Sequence, residues 1–222
     1  MACLLYCVTR PGEAVPLAGG VCGSTVRSKE LGPLRLYWSE IENSDTCFGD
    51  AESLKRAAFE FHQVLREILT KTTPIPFRFP ALVTEEEAVE QHVAAEQALY
   101  SDALERIGEA VQYEIVGSWA TDEQADFAAP VSGKEYLRRR QETLKRTAAV
   151  EAKLKSVAGA SVQEWRSRKE RRSHRWFALV PRERREQFLT SLRTAGPSEG
   201  VRLKLSGPWP PSEFVRPGGE HG

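Results

Sequence analysis

Toward its C-terminal end the chain passes from an alternating stretch, Val201 to Ser206, into Gly207-Pro208-Trp209-Pro210-Pro211, and no other run leaves the backbone so few conformations. Proline fixes its own φ and pushes the residue before it out of the helical region. The three prolines therefore end a strand and hold Trp209, with Phe214 just beyond it, on a stiff extended loop. Such aromatics either close a core at a strand end or stand exposed as anchors for a partner. Both roles are open to them.

The length, 222 residues, is enough for two domains of ordinary size, each with its own core. The 31 basic and 31 acidic residues cancel, so the molecule as a whole makes no general electrostatic claim on nucleic acid or an anionic membrane. Cys3, Cys7, Cys22 and Cys47 all fall in the first quarter of the chain, at spacings unlike a zinc site built from two close pairs. Reduced, mostly buried thiols are expected of them. No apolar run reaches the ~20 residues needed to span a bilayer, and no signal-peptide pattern opens the chain. The expectation is a soluble cytoplasmic protein without a membrane partner.

The first part of the chain reads as a strand over Leu4–Val8, a Gly/Pro/Ser-rich loop from Pro11 to Pro33, and a strand over Leu34–Trp38. Asp50 is placed to cap a helix whose Leu54, Ala58, Phe61, Leu65 and Ile68 form one apolar stripe, ended by Thr72-Thr73-Pro74. Ile75 to Val83 is extended, with two prolines that favour a sheet edge or an irregular strand. Thr84 and Glu87 make a capping-box pattern for a helix reaching Ile107, and Gly108 stops it. Val111 to Gly117 then reads as a strand.

A polar connector, 121–130, leads to a long helix opening at Ser132 or Gly133. Gly159-Ala160-Ser161 divides it from a second helix reaching Arg172. Arg175–Val180 is a strand, Pro181 starts a short helix through Leu192, and Val201–Ser206 is the last strand. The expected division is an N-terminal α+β domain over residues 1–109, a C-terminal α+β domain over 110–216 and a disordered tail, 217–222.

Charge is segregated. From Glu85 to Glu109 eight acidic residues accompany one basic residue, Arg106, whereas Lys134 to Arg175 carries fourteen basic residues and five acidic. Solvated helical faces account for both runs. The basic run could also attract an acidic protein surface or nucleic acid, although it has neither an RNP-type aromatic motif nor a helix-turn-helix.

His62, His92, His174 and His221 are too scattered for a metal cluster, and His62 and His92 read as half-buried histidines of a helical core. A hydrolase or transferase would need a pocket joining one of them to a carboxylate. Nucleophile elbow, phosphate loop and dinucleotide fingerprint are all missing. Hence no catalytic residue, metal or cofactor is assigned, and no enzymatic activity is expected. Arg78 lies between Phe77 and Phe79 in the extended segment. With the rings inward it faces outward, either as an ordinary edge arginine or as a recognition residue beside a sheet edge that a partner strand could join. The candidate partner-binding residues are Arg78, Phe77, Phe79, Trp209 and Phe214.

Several of these stretches, in the same order, resemble the gas vesicle accessory family GvpF/GvpL. They are the apolar opening strand Leu4–Val8, His62 on a helix, Pro76-Phe77-Arg78-Phe79, Gly133-Lys134-Glu135-Tyr136-Leu137 followed by Arg138, and above all Ser206 to Pro211 with Phe214. The chain departs from the pattern at Pro80, where the family places glycine, and at Ser212 and Glu213. The resemblance implies two α+β domains, the second a modified ferredoxin-like fold with an extended helical insertion. It also implies a non-catalytic role in gas vesicle assembly, with the hydrophobic shell protein and other accessory proteins as partners. The alternative is a basic helical adaptor that binds nucleic acid or an acidic protein.

Overall fold

The structure is a computed structural model that describes residues 2–84, 86–119, 132–170, 173–194 and 201–216. Among the described residues the chain divides into two compact units, one of residues 2–111 with 209–216 and one within Gln112–Pro208.

In the first unit, β1 (Ala2–Thr9) is apolar on both sides and buried from Cys3 onward, as a central strand requires. It pairs antiparallel with β3 (Leu34–Ile41), with a register shift between Leu5 and Cys7. β2 (Val26–Leu31) forms a hairpin with β3 across the two-residue turn Gly32-Pro33, where Gly32 has φ +60°. Across the other edge of β1 lie two short pieces, β4 (Ile75–Pro76) at Cys7 and Val8, and β5 (Leu82–Val83) at Cys3 and Leu4. The strand order is β2-β3-β1-β4, with β5 also on β1. β2 lies within the stretch expected to be loop. Its Arg-Ser-Lys-Glu interior lacks an apolar face, so the turn at Gly32 was its only readable mark.

A short helix, α1 (Ser44–Phe48), precedes α2 (Ala51–Lys71), which Asp50 caps by accepting hydrogen bonds from the main-chain N–H of Glu52 and Ser53. Phe61, Leu65 and Ile68 are buried as the stripe predicts, but Ala57, Val64 and Leu69 complete it, while Leu54 is exposed. These side chains pack against Leu4, Tyr6, Tyr37 and Ile41 of the sheet. The Tyr6 hydroxyl donates to Ser39 Oγ at 3.1 Å and accepts from Val21 N–H at 2.8 Å. Burial, only partly offset by these bonds, holds its phenol above its ordinary pKa.

The helix expected from Thr84 to Ile107 is two helices, α3 (Glu86–Ala95) and α4 (Gln97–Ile107), parted at Glu96, whose φ of −117° and ψ of 15° are not helical. The capping pattern at Thr84 falls partly outside the described residues. Gly108, at φ +62°, ends α4 as expected.

The cysteine expectation needs a correction. Cys22 and Cys47 form a disulfide with Cα atoms 6.1 Å apart, tying the loop before β2 to α1. Cys3 and Cys7 are buried and take no part in a disulfide. Spacing in sequence could not reveal the pair, because the β2–β3 hairpin that brings Cys22 and Cys47 together was hidden.

The second unit has a sheet ordered β7-β8-β6-β9, from β6 (Ala110–Trp119), β7 (Glu164–Lys169), β8 (His174–Pro181) and β9 (Val201–Trp209). With α5 (Gly133–Ala158) between β6 and β7, and α6 (Arg185–Thr194) between β8 and β9, its described helices and strands follow the β-α-β-β-α-β order. Trp176 and Phe188 are wholly buried at its core. A Cβ at Gly117 would lie 2.7 Å from the Trp176 ring, so the indole requires glycine beneath it. The indole N–H donates to Glu151 of α5 at 3.2 Å.

β7 corrects the expectation of a second helix reaching Arg172. Glu164-Trp165-Arg166-Ser167-Arg168-Lys169 pairs antiparallel with β8, from Glu164 opposite Leu179 to Lys169 opposite His174. Its charges are those of a blunted edge strand, a pattern easily read as a solvated helix. Arg168 lies over the Phe177 ring, 5.4 Å from its centre.

The division differs from the expected one in that the chain from Trp209 goes with the first unit instead of the second. The connector 121–130 and the tail 217–222 lie outside the described residues.

Candidate partner-binding surface

The extended segment after α2 is fastened to β1 at both ends. Phe77 N–H donates to Tyr6 O at 2.9 Å, and Leu5 N–H donates to Ala81 O at 2.9 Å. Between these bonds the chain leaves the sheet, turning through a cis Phe79–Pro80 peptide. Phe77 is 8% exposed and sits against His92 of α3 and Tyr100 of α4, each ring centre 5.8 Å away. Phe79 goes elsewhere. Its ring lies 5.1 Å from Phe61 of α2 and 6.1 Å from Phe48 of α1. The two rings thus diverge to different helices, because residues 77–81 are not a regular strand with i and i+2 on one side.

Arg78, between them, is exposed and has no hydrogen-bond or ion-pair partner among the described residues. It stands where β4 and β5 cover the edge of β1 with only two residues each.

The C-terminal corner is held by its own geometry and by α4. Gly207 has φ +127°, and a Cβ there would be 2.9 Å from Gln112 O and 2.9 Å from the Tyr113 ring, so only glycine fits. The Gly207–Pro208 peptide is cis. Pro210 and Pro211 are buried, a 3-10 turn over Ser212–Phe214 follows, and Phe214 is completely buried. Arg106 of α4 donates to the carbonyl oxygens of Phe214 and Val215. Trp209 is half-buried.

α4 therefore serves both stretches, with Tyr100 against Phe77 and Arg106 on the corner. Tyr100 donates to Glu96 at 2.6 Å, and its burial, then this bond and the Glu96 charge, hold the phenol well above its ordinary pKa. Of the five candidates, Phe77 and Phe214 are core side chains, Phe79 and Trp209 are partly accessible and Arg78 is open to a partner. The sequence reading missed Arg106. Its one signal was being the single cation in an acidic run.

The histidines are placed differently from the expectation of half-buried residues. His62 and His92 are both exposed, His62 edge-on to Phe61 and His92 tilted against Phe77. A cavity of about 540 Å³ beside the disulfide, lined by Ser24, Arg27, Glu40, Asn43, Cys22 and Cys47 among others, includes neither of them. Of its charged groups Arg27, Glu40 and Glu42, the first two already pair at 2.5 Å. Among the described residues no three His, Cys, Asp or Glu side chains are grouped to hold a metal ion. No described helix is long and apolar enough to cross a membrane.

Comparison with known proteins agrees with this architecture. Residues 2–216 match the family described as gas vesicle synthesis protein GvpL/GvpF. Gas vesicle protein L of Streptomyces sp. (strain CB03234) is 25% identical, over 95% of this chain and 91% of its own. The crystal structure of the gas vesicle protein GvpF from Anabaena sp. PCC7120 has a TM-score of 0.76 at 16% identity, covering 100% of this chain and 98% of that one. That of GvpF from Microcystis aeruginosa has a TM-score of 0.74 at 14% identity, covering 97% and 99%. At such identities the two structures speak for the fold. The family match, which takes in the opening strand, the Arg78 segment and the proline corner alike, decides the relationship: the chain belongs to the gas vesicle synthesis protein GvpL/GvpF family.

Proposed function

We propose that this protein is a non-catalytic accessory or minor structural component of gas vesicle assembly, which binds the hydrophobic shell protein and other accessory proteins in the cytoplasm and at the vesicle. Family membership over residues 2–216 is the observation that carries the reading. A very apolar subunit that polymerises into a gas-tight wall aggregates unless its apolar surface and strand edges are covered first.

Arg78, exposed beside the thinly covered edge of β1, is the residue assigned to recognition. Phe77 and Phe79 fix its place through their contacts with α2 and α4, and an incoming strand could extend the edge next to it. Phe214 holds the corner so that the accessible part of Trp209 is presented in one orientation.

Co-expression with the shell protein of the same genome tests the reading. Shell protein that stays soluble and co-purifies at both low and high salt supports an escort that works by apolar and strand-edge contact. Shell protein that aggregates as it does alone contradicts it.

A further inference from the structure

α5 is longer than the unit it packs on. Of its 26 residues only Val150, Leu154 and Ala158 are buried, all within the last nine, and no residue from 133 to 149 is. Large apolar side chains nevertheless continue along these earlier turns. Tyr136 is 51% exposed, Leu137 63% and Leu144 54%.

At 100° per residue, Leu137 and Leu144 fall within about 20° of one another, and Ala148 extends the same line. This second stripe is turned about a third of the way round the helix from the line through Val150 and Leu154 that faces the core. The segment from Tyr136 to Ala148 is about 18 Å long, enough for three turns of a partner helix.

The charges around the stripe are sorted by sign. Lys134, Arg138 and Lys145 flank it on one side and Arg140 on the other, and none of the four has an ion-pair partner among the described residues. Glu135 and Glu142 fall on the opposite face, where Glu135 pairs with Arg139 at 2.6 Å. A leucine line bordered by cations alone is half of a helix–helix seam whose other half carries acidic flanks.

We propose that the N-terminal turns of α5 dock an acidic amphipathic helix of another protein, with its apolar stripe on Leu137, Leu144 and Ala148 and its carboxylates toward Lys134, Arg138, Arg140 and Lys145. A second copy of α5 is a poor occupant because it would bring the same cations together. The stripe is narrower than the broad apolar face of a helix lying in a membrane surface. Its aliphatic side chains give bases no stacking platform. This surface belongs to the second unit, and its partner is independent of the shell-protein reading.

The test uses the full chain and a fluorescein-labelled peptide three heptads long, with Leu at the seam positions and Glu at the flanks. Comparators are a composition-matched peptide with the seam shuffled, the same peptide with Lys for Glu, vesicles of mixed phosphatidylglycerol and phosphatidylcholine, and a duplex oligonucleotide. The acidic seam peptide should bind about tenfold or more tightly than either control peptide. Leu137→Gln/Leu144→Gln and, separately, Arg138→Glu/Lys145→Glu should each weaken it by about tenfold or more, with unchanged far-ultraviolet circular dichroism. Equal binding of the shuffled peptide, binding that survives the leucine replacements, failure of the acidic peptide to bind, or tighter binding to vesicles or duplex would each overturn the proposal.

Discussion

Arg106 and Arg78 show how differently one side-chain type is used at two places in the first unit. Arg106 is half-buried and donates to two main-chain carbonyls of the C-terminal corner, so replacing it leaves acceptors without their charged donor. Arg78 is exposed and makes no hydrogen bond or ion pair among the described residues. Arg106→Met should therefore lower unfolding free energy by about 1–3 kcal/mol, and Phe214→Ala, at a wholly buried site, by about 3–5 kcal/mol. Arg78→Glu should stay within about 0.5 kcal/mol of wild type. Urea denaturation of the three variants checks this ordering, and a Phe214 variant with wild-type stability would show that the corner is not part of the core. The sequence singled out Arg78 because its neighbours are both phenylalanine. It gave no comparable hint for Arg106, whose acceptors are main-chain atoms over a hundred residues away.

At the level of elements, α2 offers a pH-dependent test. Hydrogen bonds from the main chain and hydroxyl of Ser53, and from Glu52 N–H, lower the pKa of Asp50 in the folded state. A group depressed in this way contributes stability above its unfolded value of about 4 and loses it as the pH falls through the folded value. Wild type should thus lose thermal stability relative to Asp50→Asn as the pH drops below about 5. Parallel melting curves for the two proteins would remove Asp50 from the account. The disulfide gives a second test: denatured, unreduced protein should titrate two thiols, Cys3 and Cys7, and reduced protein four. Four thiols before reduction would contradict the Cys22–Cys47 bond.

The elements that could be read in advance share one property, an apolar pattern strong enough to survive without context. β1, with its Leu-Leu-Tyr-Cys-Val run, and α2, with Phe61, Leu65 and Ile68 in line, are of this kind. β2 and β7 are edge strands whose partners supply the order, and Arg-Ser-Lys-Glu or Arg-Ser-Arg-Lys has no face to reveal by itself. The break at Glu96 escaped notice because both halves of the stretch have helical patterns.

For the whole molecule, the proline corner proved more informative than the total charge. A balanced 31 basic and 31 acidic residues said little, whereas Gly207, Pro208 and their neighbours pointed to a family that the match over residues 2–216 then established. Burial could not be foreseen at this scale. Phe77 and Phe214 looked equal to Arg78 as contact residues, yet their rings are spoken for by Tyr100, His92 and the core. Of the five candidates, what remains accessible is consequently Arg78 with parts of Phe79 and Trp209.

The claim that this protein shields the shell protein through the Arg78 edge is tested most directly by light scattering from shell protein diluted out of denaturant, with wild type or Arg78→Glu present in equal amount. Wild type should suppress the scattering, and Arg78→Glu, folded and equally stable, should largely fail to. Scattering unaffected by wild type, or suppressed equally by both, would contradict it.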